Sequence, residues 1–123
     1  MVLDVIIKSR NILDKMHWAA KRKLKQEYAL LIRNQMRTKK HYNELITKPT
    51  FFTLEIVSYR KRLLDYDNLV GGCKQLIDAM VDEQFIWDDS PKYLDLRVKQ
   101  VKNSDSLRKK HKKLHNKTWI VRY

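Results

Sequence analysis

The chain has 123 residues, enough for one domain with a small core. Its 27 Lys and Arg against 14 Asp and Glu leave a net charge of +13, and charged residues make up 33%, above the usual quarter. Two Gly, two Pro and one Cys exclude a low-complexity chain, an intrachain disulfide and a Cys-rich zinc cluster. No apolar run approaches the ~20 residues of a membrane span, and VLDVIIKSR is too short and too broken by Asp4 for a secretory signal. A soluble cytoplasmic protein in a reducing compartment is expected.

In chain order, residues 2–8 are β-branched and short, which predicts a strand. Residues 16–38 predict a helix, because Leu24, Tyr28, Leu31, Ile32 and Met36 form one apolar stripe. Lys21, Arg22, Lys23 and Lys25 crowd its first half. Residues 39–49 are polar and read as a loop or short turn ending in Pro49. In 50–59, Phe52, Leu54 and Ile56 alternate with Thr53 and Glu55, a strand pattern.

Asn68 opens a second helical pattern ending near Glu83, with Leu69, Cys73, Leu76, Ile77, Met80 and Val81 on one face. Asp88, Asp89, Ser90 and Pro91 carry a turn signal. Residues 93–102 alternate as a strand, 103–117 read as a polar loop or hairpin arm, and TWIVRY closes the chain as a strand. The order β-α-β-α-β-β predicts one α/β domain of the α+β type over residues 1–123, with two layers: a small mixed sheet and two main helices.

The charge is unevenly placed. Residues 65–95 hold eight acids (Asp65, Asp67, Asp78, Asp82, Glu83, Asp88, Asp89, Asp95) against Lys74 and Lys92. Elsewhere the chain is strongly basic, which favours nucleic acid through counterion release; a surface kept soluble by like charge is the plainer alternative. In an extended segment Asp65 and Asp67 would project from one face. Two such carboxylates, with Asp89 brought back by the second helix, suit Mg²⁺, with Mn²⁺ as the other candidate ion; Mg²⁺ takes oxygen ligands from one or two carboxylates plus substrate phosphates. Lys74, two helical turns beyond Asp67, could contact a phosphate or an attacking water. Asp78 follows one turn later. Gly71 and Gly72 would let another backbone approach closely, DNA or a second subunit.

Structural alternatives stand beside these. Asp67 or Asn68 could cap the second helix, and Asp88-Asp89-Ser90 could be turn chemistry. His17 and Trp18, ahead of a basic helix, could stack on a base or pack inside. His111 and His115 lack an HExxH pattern and read as part of a basic arm. Cys73 lies on the apolar stripe and reads as core.

The stretch DYDNLVGGCKQLIDAMVDEQFIWDDSPKYLDLRVKQVK resembles the core of RusA-type Holliday junction resolvases, especially their phage forms. The shared pattern is Asp65-x-Asp67-Asn68-Leu69, then Lys74 within a helix, then Asp88-Asp89 after a hydrophobic corner, then Asp95 in a strand. KMHWAAKRKLKQEYALLI is similar to the first helix of those phage proteins. Leu64 stands where some members carry a basic residue.

The resemblance implies a homodimeric, Mg²⁺-dependent endodeoxyribonuclease that resolves four-way DNA junctions by paired symmetric nicks in recombination and repair, in a bacterial or phage-infected cell. It assigns Asp65, Asp67 and Asp89 to the metal and catalysis, and Lys74 to catalysis, with Asn68, Asp88 and Asp78 as supporting residues. Lys15, Trp18, Arg22, Lys23, Arg60, Lys61, Arg62, Lys109, Lys110 and Lys112 are the expected DNA contacts. No small-molecule cofactor and no membrane partner is expected. A non-catalytic binder of structured nucleic acid explains the +13 charge equally well.

Overall fold

The computed structural model describes residues 1–103 and 116–123. Most of the expected 103–117 arm, with Lys109, Lys110, Lys112, His111 and His115, lies outside the described residues.

The elements are β1 (Val2–Leu3), α1 (Arg10–Lys15), α2 (Trp18–Thr38), a 3₁₀ turn (Lys40–Tyr42), β2 (Phe52–Arg60), α3 (Tyr66–Gly72), α4 (Lys74–Asp82), β3 (Leu94–Lys102) and β4 (Thr118–Arg122). They form a small α+β domain with a mixed four-stranded sheet in the order β1-β4-β2-β3. β2 and β3 run parallel, with Phe52 opposite Leu94 and Arg60 opposite Lys102. β4 runs antiparallel to both β2 and β1.

The expected strand over 2–8 shrinks to two residues. After Leu3 the chain leaves the sheet, and Ile7 buries itself in the core instead of continuing a ladder. A short helix that the apolar pattern does not show follows: the Ser9 Oγ caps α1 by accepting from the Ile12 N–H at 3.2 Å. The long helix starts at Trp18, after His17, whose Nδ1 accepts from the Ala19 N–H at 3.2 Å. The second helical pattern divides at Cys73 into α3 and α4.

The core lies between the helices and one face of the sheet. α2 contributes Leu24, Tyr28, Ile32 and Met36, one residue per turn. α3 and α4 contribute Leu69, Leu76, Ala79 and Met80, and the strands contribute Leu54, Ile56, Leu94, Val98 and Ile120. Cys73 is fully buried among them, as its place on the stripe predicts. Burial pushes its thiol up to about 12 and the Tyr28 phenol up to about 12 as well.

Two ion pairs on the outer side tie α2 to the end of α4. Lys25 Nζ lies 2.8 Å from Asp82, and Arg33 makes a forked pair with Glu83 at 2.7 and 3.0 Å. On the far side of the core, the Arg122 guanidinium stands among the rings of Tyr42, Phe52 and Phe85, 4.6–5.2 Å from their centroids. It donates to the carbonyl oxygens of Phe85 at 2.6 Å and His41 at 3.3 Å.

Candidate nucleic-acid interface and carboxylate sites

The carboxylates at 65 and 67 enter through a helix start, not through an extended run. Asp65 has extended backbone angles and holds the N-cap position of α3; Asp67 is already in the first turn. Strand alternation therefore does not govern their directions. The capping alternative fails too, since no side-chain hydrogen bond caps α3. Both residues are exposed, and neither side chain makes an ion pair or hydrogen bond among the described residues. Asn68 is half-buried on the next position.

The approach to this helix is fixed by the side-chain amide of Gln100 on β3. The Leu64 N–H donates to Gln100 Oε1 at 2.9 Å, and Gln100 Nε2 donates back to the Leu64 carbonyl at 2.7 Å. Gln100 lies opposite Ser58 near the exit of β2. Asp65 and Asp67 thus belong to the C-terminal end of the β2–β3 pair.

Asp88 and Asp89 belong to the other end. The Ser90 carbonyl accepts from the N–H groups of Tyr93 and Leu94, both at 2.9 Å, so the turn delivers the chain directly into β3 at Leu94. Because β2 and β3 are parallel, that entry lies beside Phe52, the first residue of β2. Nine paired residues at ~3.3 Å per step make a ladder about 26 Å long. Asp89 is exposed, and Asp88 Oδ1 accepts from the Asp89 N–H at 2.8 Å, the local turn bond of the structural alternative. Asp95 pairs with Arg97 at 3.2 Å.

The expected convergence of Asp65, Asp67 and Asp89 is therefore not made within one chain. Among the described residues no group of three His, Cys, Asp or Glu side chains is placed to share an ion. Asp65, Asp67 and Asp89 of a single copy are not placed to form one three-carboxylate metal site. The physical reason is the parallel connection: α3 and α4 carry the chain back along the sheet before β3 begins.

Lys74 opens α4, exposed, with no ion pair among the described residues. It lines a cleft of about 330 Å³ with Arg10, Leu13, Asp14, Lys21, Gly71 and Gln75. Asp78 is half-buried, and together with Asp82, the larger influence, it holds the Lys25 ammonium above its usual range. Of the two glycines only Gly72 admits a close backbone, and it is the chain's own: a Cβ at 72 would overlap the Lys8 carbonyl oxygen, whereas one at 71 would press on the Arg10 side chain.

The expected nucleic-acid contacts divide into two groups. Lys15, Arg22, Lys23, Lys61 and Arg62 are exposed, and Trp18 is 68% exposed beside the His17 ring, so it is not a packed core residue. Arg60 is engaged internally: Nη1 donates to the Ile7 carbonyl at 2.9 Å and Nε to the Arg62 carbonyl at 2.8 Å. Burial lowers its pKa from the usual arginine range. Arg10 and Lys21 were not singled out as contacts. Lys21 lies in the visible basic run of α2, but Arg10 carries no sequence signal, because the helix that presents it has no apolar stripe of its own.

Among the described residues no helix is long and apolar enough to cross a membrane. No family model, no curated protein and no solved structure matches this chain.

Proposed function

We propose that this chain is a structure-specific endodeoxyribonuclease that nicks four-way DNA junctions and works as a pair of identical copies. The observation that carries this reading is the state of Asp65 and Asp67: two exposed carboxylates, free of cation partners among the described residues, in a chain of net charge +13. With cations in such excess, two neighbouring acids without a cation partner among the described residues suggest a task other than stability. The resemblance of residues 65–102 to RusA-type resolvases names that task as phosphodiester hydrolysis.

The opposite-end placement of Asp89 gives the pair of copies its role. One copy offers Asp65 and Asp67, and the second offers Asp89. A two-fold arrangement makes both composite sites equivalent and suits a junction with approximate two-fold symmetry. A divalent ion held there would supply Lewis acidity and a hydroxide at neutral pH. The chain's own contribution is to present the acids at an ordered helix start and to place cations on α1, α2 and α4 against backbone phosphates, which position the strand without reading its sequence.

A second reading, a non-catalytic binder of structured nucleic acid, is favoured by one observation: a single copy does not assemble the three acids. A synthetic four-way junction incubated with the protein in Mg²⁺, in Mn²⁺ and in EDTA separates the two. Paired nicks that need the metal support the nuclease. Binding without nicking in all three supports the binder.

A further inference from the structure

We propose that the cleft between α1, the start of α2 and the α3–α4 junction seats a phosphodiester of bound nucleic acid, held by Arg10, Lys21 and Lys74. The proposal rests on the nucleic-acid part of the reading above and not on cleavage, so it is testable with no metal present.

Three cations from three separate helices line this one cleft of about 330 Å³. Among the described residues a single acid lines the cleft with them: Asp14, 3.6 Å from Arg10 Nε, with both side chains more than 60% exposed. Lys21 and Lys74 have no anionic partner among the described residues. Bringing like charges to one concave site is unfavourable, and a bound anion reverses the sign of that interaction.

Two larger clefts on the neighbouring face of α2 are less basic. Lys25 and Arg33, which line them, are paired with Asp82 and Glu83, so each cleft keeps one cation without an acid partner among the described residues, Arg22 in one and Arg37 in the other. One side of the basic cleft is braced by the chain's own contacts. Ser9 caps α1, and Gly71 lets the methylenes of Arg10 lie directly on α3, so the guanidinium starts from a packed stem. Lys74 leads α4 seven residues after Asp67, and Gly71 of the helix that carries Asp67 lines the same cleft. A strand seated in the cleft would therefore run past the Asp65–Asp67 end of the domain.

The test measures binding of a junction and of a linear duplex in EDTA across a range of salt. Arg10→Gln and Lys21→Gln, which keep most of each stem, should each weaken binding about five- to tenfold near 0.1 M salt and lower the slope of log K against log salt by about one. Arg10→Lys should restore most of the Arg10→Gln loss. Lys25→Gln and Arg33→Gln, equal in charge change but at residues already paired with Asp82 and Glu83, should leave the slope as it is. Equal effects from the two sets would overturn the proposal, since only net charge would then matter. No effect from Arg10→Gln and Lys21→Gln would overturn it as well.

Inorganic phosphate, titrated while the amide resonances of Gly71 and Gln75 are followed, distinguishes a strand from a free anion. Shifts that duplex DNA competes away support the proposal. Shifts that DNA leaves unchanged, or no shifts, contradict it.

Discussion

Gly72 lies against the carbonyl of Lys8 so closely that any side chain at position 72 would overlap the oxygen. Its neighbour Gly71 faces only the flexible side chain of Arg10. The two glycines are adjacent and chemically identical, yet they carry different consequences. Gly72→Ala meets a carbonyl oxygen and must displace backbone, whereas Gly71→Ala meets the Arg10 stem from Cβ at 2.9 Å to Cδ at 2.6 Å and must shift the base of that side chain. Gly72→Ala should lower stability by about 1–3 kcal/mol, partly offset by better helix propensity, and Gly71→Ala by clearly less. Denaturant unfolding of the two variants gives the comparison.

The buried Cys73 and Tyr28 predict a loss of stability at alkaline pH. Both groups are neutral when protonated, and burial raises each folded-state pKa to about 12, from ordinary values of 9.0 and 10.0. Below pH 9 both states hold these protons and nothing changes. From pH 9 for Cys73, and from pH 10 for Tyr28, the unfolded chain ionises first. Each group then lowers the unfolding free energy by about 1.4 kcal/mol per pH unit, until the folded form also titrates. Cys73→Ala should flatten the stability–pH curve between pH 9 and 10 while leaving the fall above pH 10. Urea midpoints from pH 7 to 11 test this.

Arg122 joins the last strand to the segment around the 3₁₀ turn and to the chain leaving α4. Its guanidinium bonds two carbonyl oxygens and stands among three aromatic rings. Arg122→Ala removes those interactions and leaves the Phe85 carbonyl without this donor, so a loss of about 1–3 kcal/mol is expected. Arg122→Lys should recover only part of it, because an ammonium cannot reproduce the planar fork. Thermal unfolding of both variants at neutral pH measures the difference.

Much of the fold could be read before the structure, and the particular failures have physical causes. The stripe Leu24, Tyr28, Ile32 and Met36 places α2, and all four residues are buried. Alternation places β2 and β3, and the expected bounds differ from the observed ones by a residue or two at most. The 2–8 strand failed because β-branched composition reports a preference that packing overrides: Ile7 is used against the helices. The directions of Asp65 and Asp67 were misjudged because the helix starts at Tyr66, ahead of the apolar pattern that reveals it.

Asp89 was misplaced for a different reason. Alternation in β2 and β3 does not say whether the two strands run the same way. Their parallel pairing, which sends Asp65 and Asp89 to opposite ends, is a property of the whole sheet.

The composite site is tested most directly by mixing two inactive variants. Asp67→Asn and Asp89→Asn should each abolish nicking of a four-way junction in Mg²⁺ while keeping junction binding. If each site takes Asp65 and Asp67 from one copy and Asp89 from the other, a mixed pair rebuilds one intact site. An equimolar mixture, allowed to exchange subunits, should then recover about a quarter of the wild-type nicking rate, as single nicks. A mixture that stays inactive although the wild type nicks would contradict the shared site, and a wild type that never nicks the junction would contradict the nuclease itself.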